Sequence, residues 1–177
     1  MGPDKLMRPV FDAADREYAA ELFESVRKIS AARLGVTRPS YGEVETAALQ
    51  LLAEEARKAG LLTRFDAAAN LVIETPDAPA DKPPCWMGSH LDSVPEGGNY
   101  DGLAGVVAGL LCLVKAKRLG TELERPLAVI GLRGEESAWF GKPYLGSYAL
   151  FGKLSARDLE RRHRDTGRPL GEYMEKA

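Results

Sequence analysis

A mixed β-sheet layered with helices, an α/β domain, is what the order of segments predicts for this 177-residue chain. Three observations carry that expectation. Two amphipathic helical stretches open the sequence, short runs rich in leucine, valine and isoleucine follow, and a helix-period stretch separates the last two of these runs. Hydrophobic residues make up 45% of the chain and charged residues 28%, the balance of an ordinary globular domain with material for a core.

From Phe11 to Leu34 the apolar side chains Phe11, Tyr18, Leu22, Val26 and Ile29 recur at steps of three, four and seven, and Gly35 reads as the helix stop. Ser40 with Glu43 three positions later reads as a capping box, followed by an apolar face of Val44, Ala47, Ala48, Leu51, Leu52, Ala56 and Ala59, with Gly60 as the end. Leu61–Phe65 and Leu71–Thr75 read as a hairpin, and Cys85–His90 as a buried strand. Between them PDAPADKPP, with four prolines, demands an exposed loop. Gly102 to Arg118 is helical in period, and Leu127 to Leu132, introduced by Pro126, is a continuous apolar run suited to an inner strand. Beyond Phe151 apolar residues thin out. Ser155 to Ala177 reads as a polar helix, a turn at Asp165–Gly167 and a short helical end, with Arg157, Arg161, Arg162, Arg164 and Arg168 on a solvated face around His163.

Charge and composition exclude several function classes. The formal net charge of -2 gives no electrostatic reason to expect nucleic acid or an anionic membrane as partner. The longest nearly apolar run, Gly102 to Val114, falls short of the roughly 20 residues needed to cross a bilayer. MGPDKLMRP has no apolar segment of an export signal, and Leu6 stands where a myristoylation signal needs Ser or Thr, so a cytoplasmic location is expected. Cys85 and Cys112 sit among apolar neighbours without a CxxC pair and read as reduced core thiols.

The chemistry is concentrated at the ends of two predicted strands, where open α/β sheets place their ligand sites. The first cluster is GSHLDSVPEGGNYDGLAG, Gly88 to Gly105. His90 and Asp92 flank one residue, a spacing that puts both side chains on one face of extended backbone, and Asp101 at the start of the next helix can turn back towards His90. The second cluster, GLRGEESAWFG, puts Glu135 and Glu136 directly after the apolar strand. Adjacent carboxylates point differently and suit different tasks, one as metal ligand and the other as proton carrier facing a substrate. Singly, each residue also has an ordinary structural role: His90 in a core, Asp101 as an N-cap, Glu135 and Glu136 as a solvated pair. The glycines fit neither GxGxxG nor a P-loop, and Ser89 and Ser93 lack a GxSxG elbow, which argues against nucleotide binding and serine catalysis.

GSHLDSVPEGGNYDGLAGVVAG and GEESAWFGKPYLGS, together with DAAANLVIE, closely resemble the motifs of the N-carbamoyl-L-amino-acid hydrolase, β-ureidopropionase and allantoate amidohydrolase family, dimetal amidohydrolases of the aminoacylase-like superfamily. The resemblance implies a zinc-exopeptidase-like catalytic domain, of which residues 1–177 form the N-terminal part, and two divalent ions (Zn, Mn or Co). It implies His90 as ligand to one ion, Glu136 to the other, Asp101 as the bridging carboxylate, Asp92 as the partner orienting His90, and Glu135 as general base. A water held between the ions would be deprotonated by Glu135 and attack the carbamoyl or amide carbonyl of a small-molecule substrate. A full-length form is expected to be a homodimer. The family's two further metal histidines and its dimerisation domain lie beyond the matching region, so the 177 residues alone are expected to be inactive. A non-catalytic binding module of the same fold and a metallopeptidase of the superfamily are the alternatives. The chain departs from the family pattern at Ala69, where glycine is usual before Asn70, and at Ser137, Trp139 and Tyr148, around which the family reads EEGxRF and GSR.

Overall fold

The computed structural model describes residues 11–76, 79 and 81–177. The N-terminal MGPDKLMRP reading lies outside these residues, as does part of the proline-rich loop. Helix α1 spans Ala13–Ser30, opened by a reciprocal capping box between Asp12 and Asp15. Helix α2 follows at Glu43–Lys58, then strands β1 (Leu62–Phe65), β2 (Leu71–Glu74) and β3 (Cys85–His90), helix α3 (Leu103–Arg118) and strand β4 (Leu127–Leu132). Three short helices complete the chain: α4 (Leu145–Leu150), α5 (Ala156–Leu159) and α6 (Leu170–Met174).

The sheet is mixed, in the order β1-β2-β4-β3, with β3 parallel to β4 and the other pairs antiparallel. This is the expected α/β architecture. Leu71, Ile73 and Val129 face a core completed by Leu49 and Leu52 of α2 and Leu103, Val106, Leu110 and Leu113 of α3, with α1 closing over both helices through Leu22 and Val26. These residues recur at strand and helix periods, so burying them fixes both register and helix rotation. On the other face Val72, Trp86, Ile130 and Leu132 line a groove ended by Leu150 and Phe151.

Several expectations need correction. Helix α1 stops at Ser30, and Gly35 serves a different need: a Cβ there would meet the Gly97 carbonyl oxygen, because Val36 bridges Gly97 across two loops. Helix α2 has Gly42 as N-cap, and the Ser40 hydroxyl is directed elsewhere. Strand β3 is an edge strand with exposed residues, since it pairs with β4 on one side only, and Cys85 is consequently exposed while Cys112 is half-buried. In the C-terminal segment Arg157, Arg162, Arg164 and Arg168 are exposed as expected, but the polar helix shrinks to Ala156–Leu159. The segment's helices are short, and His163 is buried, stacked between Trp139 and Tyr173 with centroids 5.4 and 5.0 Å away and met edge-on by Phe140. The arginines around it conceal an aromatic cluster.

Candidate metal centre

Because β3 and β4 run parallel and adjacent, with His90 paired to Leu132, both chains leave the sheet at the same edge. The Leu91 amide continues the ladder to the Leu132 carbonyl at 3.1 Å. The loop after β3 leads to Asp101, and the turn after β4 carries Glu135 and Glu136, so the two clusters read from the sequence become one site.

Asp92 ties them together. Its fully buried carboxylate accepts the backbone N–H of Glu135 at 3.0 Å, that of Glu136 at 2.9 Å and the Ser40 hydroxyl at 2.6 Å, and its Oδ1 lies 3.3 Å from His90 Nδ1. Burial alone would raise the Asp92 pKa, but His90, Ser40 and the two amides hold it below the usual carboxylate range. His90 Nδ1 is also 3.0 Å from the Asp92 carbonyl oxygen. With Nδ1 so engaged, Nε2 turns to the open side, 3.7 Å from Glu135 Oε2 and 3.9 Å from Asp101 Oδ1. Burial disfavours the imidazolium, yet the bond to Asp92 and the charges of Asp92 and Glu135 outweigh it and push the His90 pKa up to about 9. The Glu136 carboxyl is raised as well, by burial first and then by Glu135 and Asp92.

Donor atoms of His90, Asp101 and Glu136 all lie within 4.8 Å of one another. Asp101 is no N-cap: the cap of α3 is Gly102, at φ 66, which makes no side-chain bond and leaves the Asp101 carboxylate exposed. Gly102 lies against the imidazole so closely that a Cβ would stand 2.5 Å from its ring. All five residues singled out in the sequence thus meet at one edge.

Residues beneath the site carried no comparable signal. Ser40 is one; its spacing to Glu43 matches a cap pattern, and only the fold shows that its hydroxyl serves Asp92. Arg133 and Glu45 are others, a buried pair at 2.7 Å whose carboxylate also accepts the amides of Tyr41 at 2.6 Å and Gly134 at 3.2 Å. Burial pushes the Glu45 pKa up to about 7 even though Arg133 opposes it.

No protein-family model matches the sequence. Among curated proteins, the chain is 38% identical over 143 residues to an N-carbamoyl-L-amino acid amidohydrolase of Geobacillus stearothermophilus, covering 81% of this chain and 35% of that protein. It is 31% identical over 143 residues to an allantoate amidohydrolase of Bacillus subtilis, covering 81% of this chain and 35% of that one. A solved hydantoinase/carbamoylase family amidase of Burkholderia vietnamiensis superposes with a TM-score of 0.82 at 29% identity, over 94% of this chain and 41% of that one. The chain belongs to the hydantoinase/carbamoylase family. It spans about a third of the length of these curated relatives. Ala69, where the resemblance expects glycine before Asn70, adopts φ 58, the left-handed conformation that glycine supplies without strain. Trp139 is buried with Nε1 donating to the Ser93 carbonyl at 2.8 Å, and Lys142 Nζ stands 4.1 Å over the Tyr148 ring.

Proposed function

We propose that this chain contributes the metal-binding edge of a zinc-exopeptidase-like catalytic domain that hydrolyses a non-peptide C–N bond in an N-carbamoyl amino acid or ureide. The observation that carries the proposal is the approach of His90, Asp101 and Glu136 to within 4.8 Å at the shared exit of β3 and β4. Relatives named for carbamoyl amino acid and allantoate hydrolysis support the substrate class.

The residues fit divalent ions. One imidazole nitrogen and a surplus of carboxylates, their donor atoms within 4.8 Å of one another, suit Zn, Mn or Co. His90 would serve one ion, Glu136 the other, and Asp101 both. Bound there, the ions would make water a nucleophile at neutral pH and polarise the substrate carbonyl. Asp92 keeps Nδ1 of His90 occupied and so presents Nε2. Glu135 takes the proton of the attacking water; the water oxygen bonds to the carbonyl carbon, the C–N bond breaks, and Glu135 returns the proton to the leaving nitrogen. The Glu135 amide bond to Asp92 and the Tyr144 N–H to the Glu135 carbonyl, 2.9 Å, hold the turn that carries this base.

Titrating the purified chain with Zn²⁺ or Mn²⁺ by calorimetry tests the reading. Saturable binding weakened by His90→Ala and Glu136→Gln is expected. Binding equal in all three proteins would overturn it.

A further inference from the structure

Arg38 lies in the connection between α1 and α2, and its side chain is fully buried, 0% exposed. A guanidinium taken from water costs stability unless its fork of donors is used. Here Nε donates to the Leu91 carbonyl at 2.5 Å, Nη1 reaches Asn99 Oδ1 at 3.4 Å, and Nη2 reaches the carbonyl oxygens of Asn99 and Asp101, each at 3.4 Å. Its backbone closes the arrangement, with the Arg38 N–H donating to Ser93 Oγ and the Ser93 N–H to the Arg38 carbonyl, both at 3.0 Å. One planar group therefore grips the residue after His90 and the residue that carries the second carboxylate.

We propose that Arg38 is a positioning residue: its fork sets the separation between His90 and Asp101 by pinning the exit of β3 to the Asn99–Asp101 loop. The inference rests on reading His90, Asp101 and Glu136 as metal ligands. Its positive charge faces the carboxylates of Asp92, Asp101 and Glu45, but a cation beside the site also repels a divalent ion. Geometry and charge therefore predict opposite outcomes. If the fork matters, Arg38→Lys, which keeps the charge and loses the planar donors, weakens metal binding. If only charge matters, Arg38→Lys changes nothing and Arg38→Gln tightens it.

The experiment is a double-mutant cycle read by Zn²⁺ calorimetry, joined to amide exchange on the metal-free chain. Arg38→Lys is expected to lower Zn²⁺ affinity about 10- to 100-fold, the scale of groups that orient ligands. That loss should vanish in an Asp101→Asn background and persist in a Glu136→Gln background, since Arg38 acts through Asp101. Without metal, exchange should quicken at Leu103 and Ala104, whose amides bond the Asp101 and Tyr100 carbonyls at 2.7 and 2.9 Å, while β1 and β2 keep their protection. An undiminished affinity, or an equal loss with and without Asp101→Asn, would overturn the proposal, because general loosening is additive. Should Arg38→Lys fail to fold, Asn99→Ala removes one acceptor of the fork and passes through the same cycle, where an undiminished affinity or an equal loss in both backgrounds again overturns the proposal. If the unmodified chain binds no Zn²⁺, the metal reading fails by itself; the exchange arm then decides on Arg38, and unchanged exchange at Leu103 and Ala104 overturns its clamping role.

Discussion

The two ends of the sheet are built by different rules. At the end where α2 and α3 terminate, the tight turns use glycine, Gly60 at φ 76 and Gly120 at φ 59, and charges are matched. Lys115 Nζ lies 2.6 Å from Asp15 and 2.9 Å from Asp12, and Arg118 lies 3.1 Å from Asp15. At the end where β3 and β4 exit, glycines at Gly102 and Gly134 share the left-handed positions with Tyr41, Ala69, Glu96 and Tyr144, and one imidazole faces Asp92, Asp101 and Glu135 at 3.3 to 3.9 Å. Left-handed non-glycine residues and an excess of carboxylates over nearby cations are both costly. Their coincidence at one end, against glycine turns and closed ion pairs at the other, fits an end suited to holding cations.

The largest effect expected from breaking this contrast is at Glu135. In a hydrolytically active protein carrying this sequence, Glu135→Gln should retain metal and lose turnover by a factor of about 10²–10⁴, the scale of a removed general base. Glu136→Gln should instead release metal. Steady-state kinetics with metal analysis of both variants checks this, and a Glu135→Gln protein with undiminished turnover would reassign the base.

Matched charge should behave as structure even beneath the site. Arg133→Met leaves the Glu45 carboxylate buried without its partner, and breaking such a pair costs about 3–5 kcal/mol. Urea denaturation should show the loss. A double replacement, Glu45→Met with Arg133→Met, should recover much of it, which would sharpen the distinction between a pair that holds the fold and carboxylates kept for an ion.

Much of this division was legible in the sequence, because short-range patterns encode it. Strand and helix periods placed the sheet and its three long helices, and strand ends followed by His90, Asp92, Asp101, Glu135 and Glu136 pointed to one edge. What could not be read depends on contacts distant in sequence. Ser40 serves Asp92 across 52 positions and Arg38 serves Leu91 across 53, and no local spacing announces either. The arginine-rich surroundings of His163 suggested a solvated face, whereas packing against Trp139 and Tyr173 decides its burial. Edge position likewise escapes periodicity: Cys85–His90, expected as a buried strand, lies at the sheet edge, and only the sheet order exposes it.

Titration should distinguish Lys115 from His90 by sign. At the matched end Lys115 holds the Asp12 pKa down to about 2 and lowers that of Asp15. Carboxylates depressed in the folded state contribute stability above their ordinary range, about pH 3.9, and lose it as pH falls through the folded values. At the site end the His90 pKa is raised to about 9, so its contribution is complete below about pH 6.5 and fades as pH rises through 9. Thermal midpoints of the metal-free chain should therefore become less acid-sensitive in Lys115→Met, with the depressed Asp92 and Asp158 keeping the remainder, and less alkali-sensitive in His90→Gln. Exchange of these two outcomes would contradict the assignment.

The smallest effect tests the strain itself. Ala69 sits at φ 58 in the turn where Asp66 Oδ1 accepts the amides of Ala68 and Asn70 at 2.8 and 2.9 Å. Asn70 Oδ1 in turn accepts the Arg133 N–H at 2.9 Å, which places this turn under the strand that delivers Glu135 and Glu136. A left-handed alanine costs roughly 1–2 kcal/mol, whereas glycine gives back about 0.5–1 kcal/mol through the greater freedom of its unfolded chain. Ala69→Gly should therefore stabilise the protein by at most about 1.5 kcal/mol, seen as a small rise in the urea midpoint at constant slope. Gly60→Ala at the far end should do the opposite, because it introduces the left-handed strain and also brings a Cβ to 2.8 Å from the Lys117 side chain. Opposite shifts, the larger at Gly60, would locate the difference between the ends in backbone conformation, and a destabilised Ala69→Gly would show that its methyl group packs against something worth more than the strain.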